Sequence, residues 1–523
     1  MILCRITASG NAMICPCIRE IALAAELDIM LELPSERARV TFFWFDLETF
    51  GRNPKYDRIA QFAGVRTDED LRIVEEPVML YGKLSPDYLP DIDACLITGI
   101  TPQIANREGI PEAELVEKID NYLSVPNTCA VGYNSIAFDD EFIRNLYYRN
   151  LRNPYTREWK NGNSRWDLID LTRAVRDLRP GNMNWPPKEK GHVSVRLELL
   201  TKANGIDHGN SHDALSDVYA TIGLARLLKK RQPRLFDWAL RHRGKEAIRG
   251  LVEKADGAPL IYTGYANFGG RGNTGLIYPI SYSPTQPNTF YAFDLSADPQ
   301  PLLDLEVEAV YRLAFPSQLE SNEIDTDRIP LRRIITSKCP FLAPMSELTD
   351  RAAQRLGIDF HLAVDRCQRL RKNDGLSEKV LNVFLRQREE DQTAKKTDAD
   401  FRIYEGFFPN EDWQALELIS KKSPKELKKL EYHFKDVRIP KMIRRYIRRN
   451  FPELLNAEEL RQWREFCFSR LKNPPLTGVS DLNSFKAQLA KRKTEVNPSA
   501  LKILQELEDY AEHLETVIQI PFE

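Results

Sequence analysis

The chain has 523 residues, of which 42% are hydrophobic and 29% charged, with a formal net charge of −2. That length exceeds a single core and predicts two to four domains, while the composition is that of an ordinary soluble protein without an apolar run long enough to span a membrane. Near-neutral charge excludes a protein coated in positive charge, so any nucleic-acid binding must come from local basic surfaces.

The N-terminus lacks a basic segment followed by a clean apolar core, which argues against a secretory signal. Eight cysteines in so long a chain fit a reducing cytoplasm better than a disulfide framework. Cys4, Cys15 and Cys17 cluster, but no fourth ligand follows at zinc-site spacing. Residues 1 to 39 have weak periodicity and read as an extension of uncertain structure.

From Val40 the pattern becomes α/β. Phe42-Phe43-Trp44-Phe45-Asp46-Leu47-Glu48-Thr49-Phe50-Gly51 opens with four consecutive aromatics, the signature of a buried strand. Residues two apart on a strand share a face, so Asp46 and Glu48 project together from its end. Like charges held so close repel, and one protonates unless a cation sits between them. Hard oxygen donors suit magnesium or manganese. Taken alone, an Asp-x-Glu pair is usually a solvated strand end; the residues downstream change that reading.

Further strands are predicted at Ile59 to Val65, Val78 to Tyr81 and Cys129 to Tyr133, and an amphipathic helix at Pro111 to Leu123. Asp139 falls just before a helix predicted over Phe142 to Leu151, where in isolation it would be read as an N-cap. Gly181 to Pro187 reads as a loop. Helices follow at Leu197 to Ala203 and Asp213 to Lys229. His212 and Asp217 are five residues apart, about 500° of helix, so they cannot share a helical face. His212 is therefore expected on the loop entering the helix, leaning toward Asp217 in the first turns.

A boundary falls near Arg231-Gln232-Pro233. Leu260 to Leu295 alternates like strands and predicts a small β-barrel or sandwich. Gly270-Arg271-Gly272-Asn273-Thr274-Gly275 matches the dinucleotide-binding glycine pattern in form only, because Leu276 to Ile280 reads as a strand where that motif needs a helix. From about Asp398 the chain turns helical, with helices at Leu454 to Leu471 and Pro498 to Ile518. Three basic runs stand out: nine Lys or Arg against four acids from Arg144 to Arg179, nine against two from Arg226 to Arg249, and twelve against three from Lys421 to Arg449. Each alone reads as a solvated helix face, but three of them form a segregated pattern.

Asp46-Leu47-Glu48-Thr49, Asn134 to Asp139, and His212 with Asp217 together resemble the three motifs of the DEDD superfamily of 3′→5′ exonucleases, in its histidine-containing branch. The resemblance narrows to the bacterial exodeoxyribonuclease I family through Leu96-Ile97-Thr98-Gly99-Ile100-Thr101-Pro102, Asn163-Ser164-Arg165-Trp166-Asp167, Leu200-Thr201-Lys202-Ala203-Asn204-Gly205-Ile206 and Lys230 to Asp237. It continues more weakly through Lys338-Cys339-Pro340 and Tyr404 to Phe408.

That resemblance implies an α/β ribonuclease-H-like exonuclease domain at 40–231, an SH3-like β-rich domain at 232–390 and an all-α C-terminal domain at 396–523, embracing single-stranded DNA. It implies two-metal hydrolysis with Mg2+ or Mn2+, in which Asp46, Glu48 and Asp217 hold the ions and Asp139 acts through an intervening water. His212 would be the general base, and Glu48 and Arg196 would contact substrate, with an ion pair as the plain alternative for Arg196. Phe50, Tyr133 and Trp185 are candidates for stacking on bases, core burial being the alternative for each. The three basic runs become parts of a channel wall and a partner site. By the same analogy the chain is a cytoplasmic monomer, and it binds the acidic C-terminal tail of single-strand binding protein near Arg179. Two competing readings are a single-domain-type oligoribonuclease, disfavoured by length, and a DNA-binding scaffold with a vestigial site, disfavoured by the complete acidic set.

Overall fold

The computed structural model describes residues 40–187, 193–209, 213–265, 272–316, 328–391, 398–429, 433–494 and 497–518. His212, Cys4, Cys15, Cys17, Gly270 and Arg271 lie outside them.

A five-stranded sheet of order β3-β2-β1-β4-β5 holds the aromatic stretch at its centre. Strand β1 (Thr41–Thr49) pairs antiparallel with β2 (Ile59–Thr67) and parallel with β4 (Thr128–Gly132). Strand β3 (Val78–Tyr81) extends the β2 side, and β5 (Ser164–Asp167) lies parallel to β4. A central strand with both faces covered needs apolar side chains in both directions, which is why Phe42, Phe43, Trp44 and Phe45 are all buried. Pairing with β4 ends at Trp44, two residues before Asp46. The carboxylates thus emerge at the C-terminal end of a parallel pair, where open α/β sheets place their sites. The helix Ala214–Arg231 packs across β1 and β2 and carries Asp217 in its first turn.

The second sheet, of order β10-β6-β7-β8-β9, is antiparallel throughout. It comprises β6 (Leu260–Thr263), β7 (Thr274–Tyr282), β8 (Thr289–Asp294), β9 (Leu331–Ile335) and β10 (Phe341–Pro344). Leu276 to Ile280 lies inside β7, so the glycine pattern is followed by a strand. The region also contains helices Val307–Ala314, Phe360–Arg371 and Leu376–Asp391. Strand alternation alone did not foresee this half-helical composition.

The C-terminal helices, including Ala457–Lys472 and Pro498–Ile518, do not fold apart from the first sheet. Phe50, Tyr56 and Tyr88 share one core with Trp463, Leu504 and Leu514. Beside it, Asp87 accepts from Arg449 Nη2 at 2.9 Å and Arg470 Nη1 at 2.6 Å, and both arginines also bond Asp400.

Three expectations are corrected. Phe50 is 1% exposed and belongs to that core, so it cannot stack on a base. Asp139 is the first helical residue of Asp139–Arg149, not its cap, because Phe138 holds the cap position. The run from Arg144 to Arg179 is largely an internal ion-pair network rather than a free wall: Arg157 and Arg165 both bond Asp140, Arg144 bonds Glu158, and Arg149 bonds Glu112. Ionised side chains leave water only when paired; here the partners are acids of the run itself, such as Glu158, and acids outside it, Asp140 and Glu112.

Candidate active site

Asp46, Glu48 and Asp217 each offer a carboxylate oxygen, and the three atoms lie within 4.8 Å of one another. Two come from alternate positions of β1 and the third from the helix above it, so sheet and helix packing close the cluster. Gln61 locks that packing. It sits directly opposite Glu48 in the β1–β2 register. Its Oε1 accepts from Ala214 N at 3.1 Å and its Nε2 donates to Asp213 Oδ1 at 3.3 Å, pinning the start of the helix that carries Asp217.

Asp139 is buried beside the cluster, and its charge acts on Asp46. It stands apart from the three-oxygen group: its Oδ1 accepts from the backbone N–H of Leu47, between the two strand carboxylates, at 3.1 Å. The turn that delivers it is built by Asp167 at the end of β5. That carboxylate accepts from Asn134 N at 2.8 Å, Ile136 N at 3.1 Å and Ile169 N at 3.0 Å. Asn134 takes a left-handed φ of 65°. Gly132 permits the tight path, since a Cβ there would lie 2.4 Å from that of Ser135.

Burial, then the charges of Asp139, Asp217, Glu48 and Asp213, holds Asp46 well above the usual carboxylate range. Burial, then Asp217 and Asp213, pushes Glu48 up to about 8. Burial likewise raises Asp167 to about 7, against the pull of its three amide donors. Carboxyls that resist ionisation because they are buried and face one another are suited to a cation, and an all-oxygen donor set fits a hard divalent ion.

Three family models match the chain in succession: the one described as "Exonuclease" over residues 43–225, "Exonuclease I SH3-like domain" over 243–386, and "Exonuclease I C-terminal domain" over 397–514. The exodeoxyribonuclease I of Escherichia coli is 39% identical over 475 residues, spanning 91% of this chain and 98% of that protein. The chain belongs to the exodeoxyribonuclease I family.

Solved structures of the exodeoxyribonuclease I family superpose on it closely. Escherichia coli exonuclease I in complex with a dA16 oligonucleotide matches with a TM-score of 0.86 at 38% identity, covering 91% of this chain and 100% of that one. A structure of SSB/exonuclease I in complex with the inhibitor CFAM matches with a TM-score of 0.82 at 36% identity, covering 91% and 100%. As a member of the exodeoxyribonuclease I family the chain is an exonuclease, a hydrolase of phosphodiester bonds in DNA. Its three-domain order is the family's: exonuclease, SH3-like and helical.

Among the remaining candidates, Arg196 is 69% exposed at its side chain and meets Glu198 Oε1 at 2.5 Å. Tyr133 donates its hydroxyl to Val195 O. Trp185 is half-buried, with Nε1 donating to Pro180 O at 2.9 Å. Arg179 donates to Glu347 O at 3.0 Å, and its charge acts on Arg355, as do those of Asp177 and Arg351.

Sequence reasoning missed three residues. Asp213 follows His212 directly and adds a further negative charge. Asp167 ends a stretch that carried the family likeness, yet its role in building the turn is invisible without backbone geometry. His208 hydrogen-bonds Asp217 Oδ1 through Nε2. The expected histidine neighbour of Asp217 was His212, which lies outside the described residues.

Proposed function

We propose that this enzyme removes nucleotides one at a time from the 3′ end of single-stranded DNA, releasing 5′-mononucleotides, in DNA repair and recombination. The observation that carries the reading is the meeting of the Asp46, Glu48 and Asp217 oxygens within 4.8 Å. Those three side chains would hold two divalent ions, Mg2+ with Mn2+ as a substitute, and the ions would supply a lowered pKa for water and offset charge on the phosphoryl oxygens. Glu48 also meets the terminal nucleotide, and the largely exposed Arg196 contacts the substrate backbone beyond it. Asp139 orders a water at the cluster's edge while holding Leu47, and so the strand, in place. His212 takes the proton of the attacking water. The new O–P bond forms in line with the P–O3′ bond that breaks, and the strand then advances by one nucleotide.

The domain limits we propose are 40–231, 232–390 and 396–523, with residues 1–39 as an extension, in a cytoplasmic monomer. The acidic C-terminal tail of single-strand binding protein is proposed to dock where Arg179, Arg351 and Arg355 gather. Three neighbouring guanidinium groups favour a carboxylate-rich peptide.

The test uses a 3′-labelled single strand with the full chain and Mg2+. Labelled mononucleotide released from long DNA supports the proposal. Preference for short RNA, or no product, overturns it.

A further inference from the structure

An exposed loop follows the helix Leu197–Ala203, and it turns one ring inward. Asp207 and Gly209 are exposed, whereas the His208 side chain is only 7% exposed. Gly205, at φ 67°, reverses the chain, and Ile206 N bonds Thr201 O at 3.0 Å to fasten the turn. Gly209 then passes so close to the helix Ala214–Arg231 that a Cβ there would lie 2.7 Å from Ser216 Oγ. Loop and helix are thus stapled on both sides of the ring.

Both ring nitrogens are engaged. Nδ1 lies 2.9 Å from Thr201 Oγ1, and Nε2 bonds Asp217 Oδ1. The carboxylate fixes the directions. It only accepts, so the ring N–H sits on Nε2 and donates to Asp217, and the bare Nδ1 accepts from the Thr201 hydroxyl. Thr201 is fully buried in its helix and cannot follow a moving ring. The result is a rigid line from the Leu197–Ala203 helix, through threonine and imidazole, to one oxygen of Asp217.

We propose that His208, anchored by Thr201, is a positioning residue that sets the orientation of the Asp217 carboxylate for ion binding. The inference rests on the reading of Asp217 as an ion ligand. Carboxylates that bind metal are commonly steered by such outer hydrogen bonds, and losing one weakens metal affinity about 10–100-fold. The Nε2 bond holds one oxygen of Asp217 beside Asp46 and Glu48, whose like charges repel it. Losing that bond weakens the hold on the carboxylate's orientation toward the cluster.

The experiment titrates Mn2+ into the DNA-free full chain by calorimetry, with kcat and KM for single-stranded DNA measured alongside. His208→Ala should weaken Mn2+ binding about 10–100-fold and lower kcat at a given Mn2+ concentration, with KM for DNA unchanged. Thr201→Val should act in the same direction by a smaller factor. His208→Gln, which restores a donor near the Nε2 position, should recover most of the affinity. Asp217→Asn is the control. If it binds Mn2+ like the parent, the ion-ligand reading falls and the inference with it. If Asp217→Asn loses the ion while His208→Ala binds within twofold of the parent, only the positioning role is overturned. Tighter binding by His208→Ala also overturns it, because the ring would then compete with the ion. Should His208→Ala fail to fold, Mn2+ affinities of the Gln and Val variants decide the same question.

Discussion

The backbone N–H of Leu47 donates to the side-chain Oδ1 of Asp139 at 3.1 Å, joining two motifs separated by 92 positions. Leu47 lies between Asp46 and Glu48, so this bond fixes the strand segment from which both carboxylates project. Asp139→Asn keeps an acceptor and should melt close to the parent. Asp139→Ala leaves a buried amide without a partner and should lose about 1–3 kcal/mol. Both should lose activity, by about 10–100-fold, as outer partners of metal sites do. Denaturant melts paired with nuclease assays separate the two effects; equal stability of the two variants would refute the structural half.

Glu48 gives the metal-free protein a pH dependence with a definite sign. Its folded value near 8 lies above the ordinary 4.5, so the folded state binds the proton more tightly than the unfolded chain. The stabilisation is complete below the ordinary value and disappears as pH rises through about 8. In chelator, the melting temperature should fall from pH 5 to pH 9, and Glu48→Gln should flatten that slope. Adding Mg2+ should restore stability most at high pH, and binding should release protons, seen as a buffer-dependent heat. A slope unchanged in Glu48→Gln would remove this group as its source.

Asp87 lies at the seam between the first sheet and the C-terminal helices. Burial alone would raise its carboxyl, but Arg449, Arg470 and Arg58 outweigh it and hold it well below the usual range. Asp87→Ala leaves the buried Arg449 and Arg470 to share Asp400 and should be destabilising, by at most about 3–5 kcal/mol, the scale of a buried pair broken outright. The contribution of this ionised carboxylate is present above the ordinary value and is lost as pH falls beneath it. Because Trp463 shares its core with Phe50, indole fluorescence and loss of Mg2+-dependent activity should report one transition. Two well-separated transitions would show the helical part to be independent.

His212→Ala should leave binding of single-stranded DNA nearly intact while turnover falls about 10²–10⁴-fold, the scale of a general base. Gel-shift and steady-state measurements on one preparation decide it. Near-normal turnover would remove His212 from the mechanism.

Much of the site was legible in the amino-acid order because its signals are local. Alternation along β1 put Asp46 and Glu48 on one side, and helical spacing put Asp217 in a first turn. The basic runs misled because pairing is not local. Arg149 finds Glu112, Arg165 finds Asp140, and Arg449 finds Asp87. Phe50 misled for the same reason, since its cover comes from helices more than 400 residues later. His208 was passed over because nothing in its spacing to Asp217 shows that a loop folds its ring inward.

By itself, the order of residues determined the strand and helix periods, the family, and the identity of the acidic set, since each depends on neighbours a few positions apart. Only the tertiary structure decided which charges are neutralised inside, that Asp139 steadies the strand rather than caps a helix, and that His208 reaches Asp217. Those outcomes depend on which distant groups share a desolvated space, and desolvation, unlike periodicity, is a property of the packed chain.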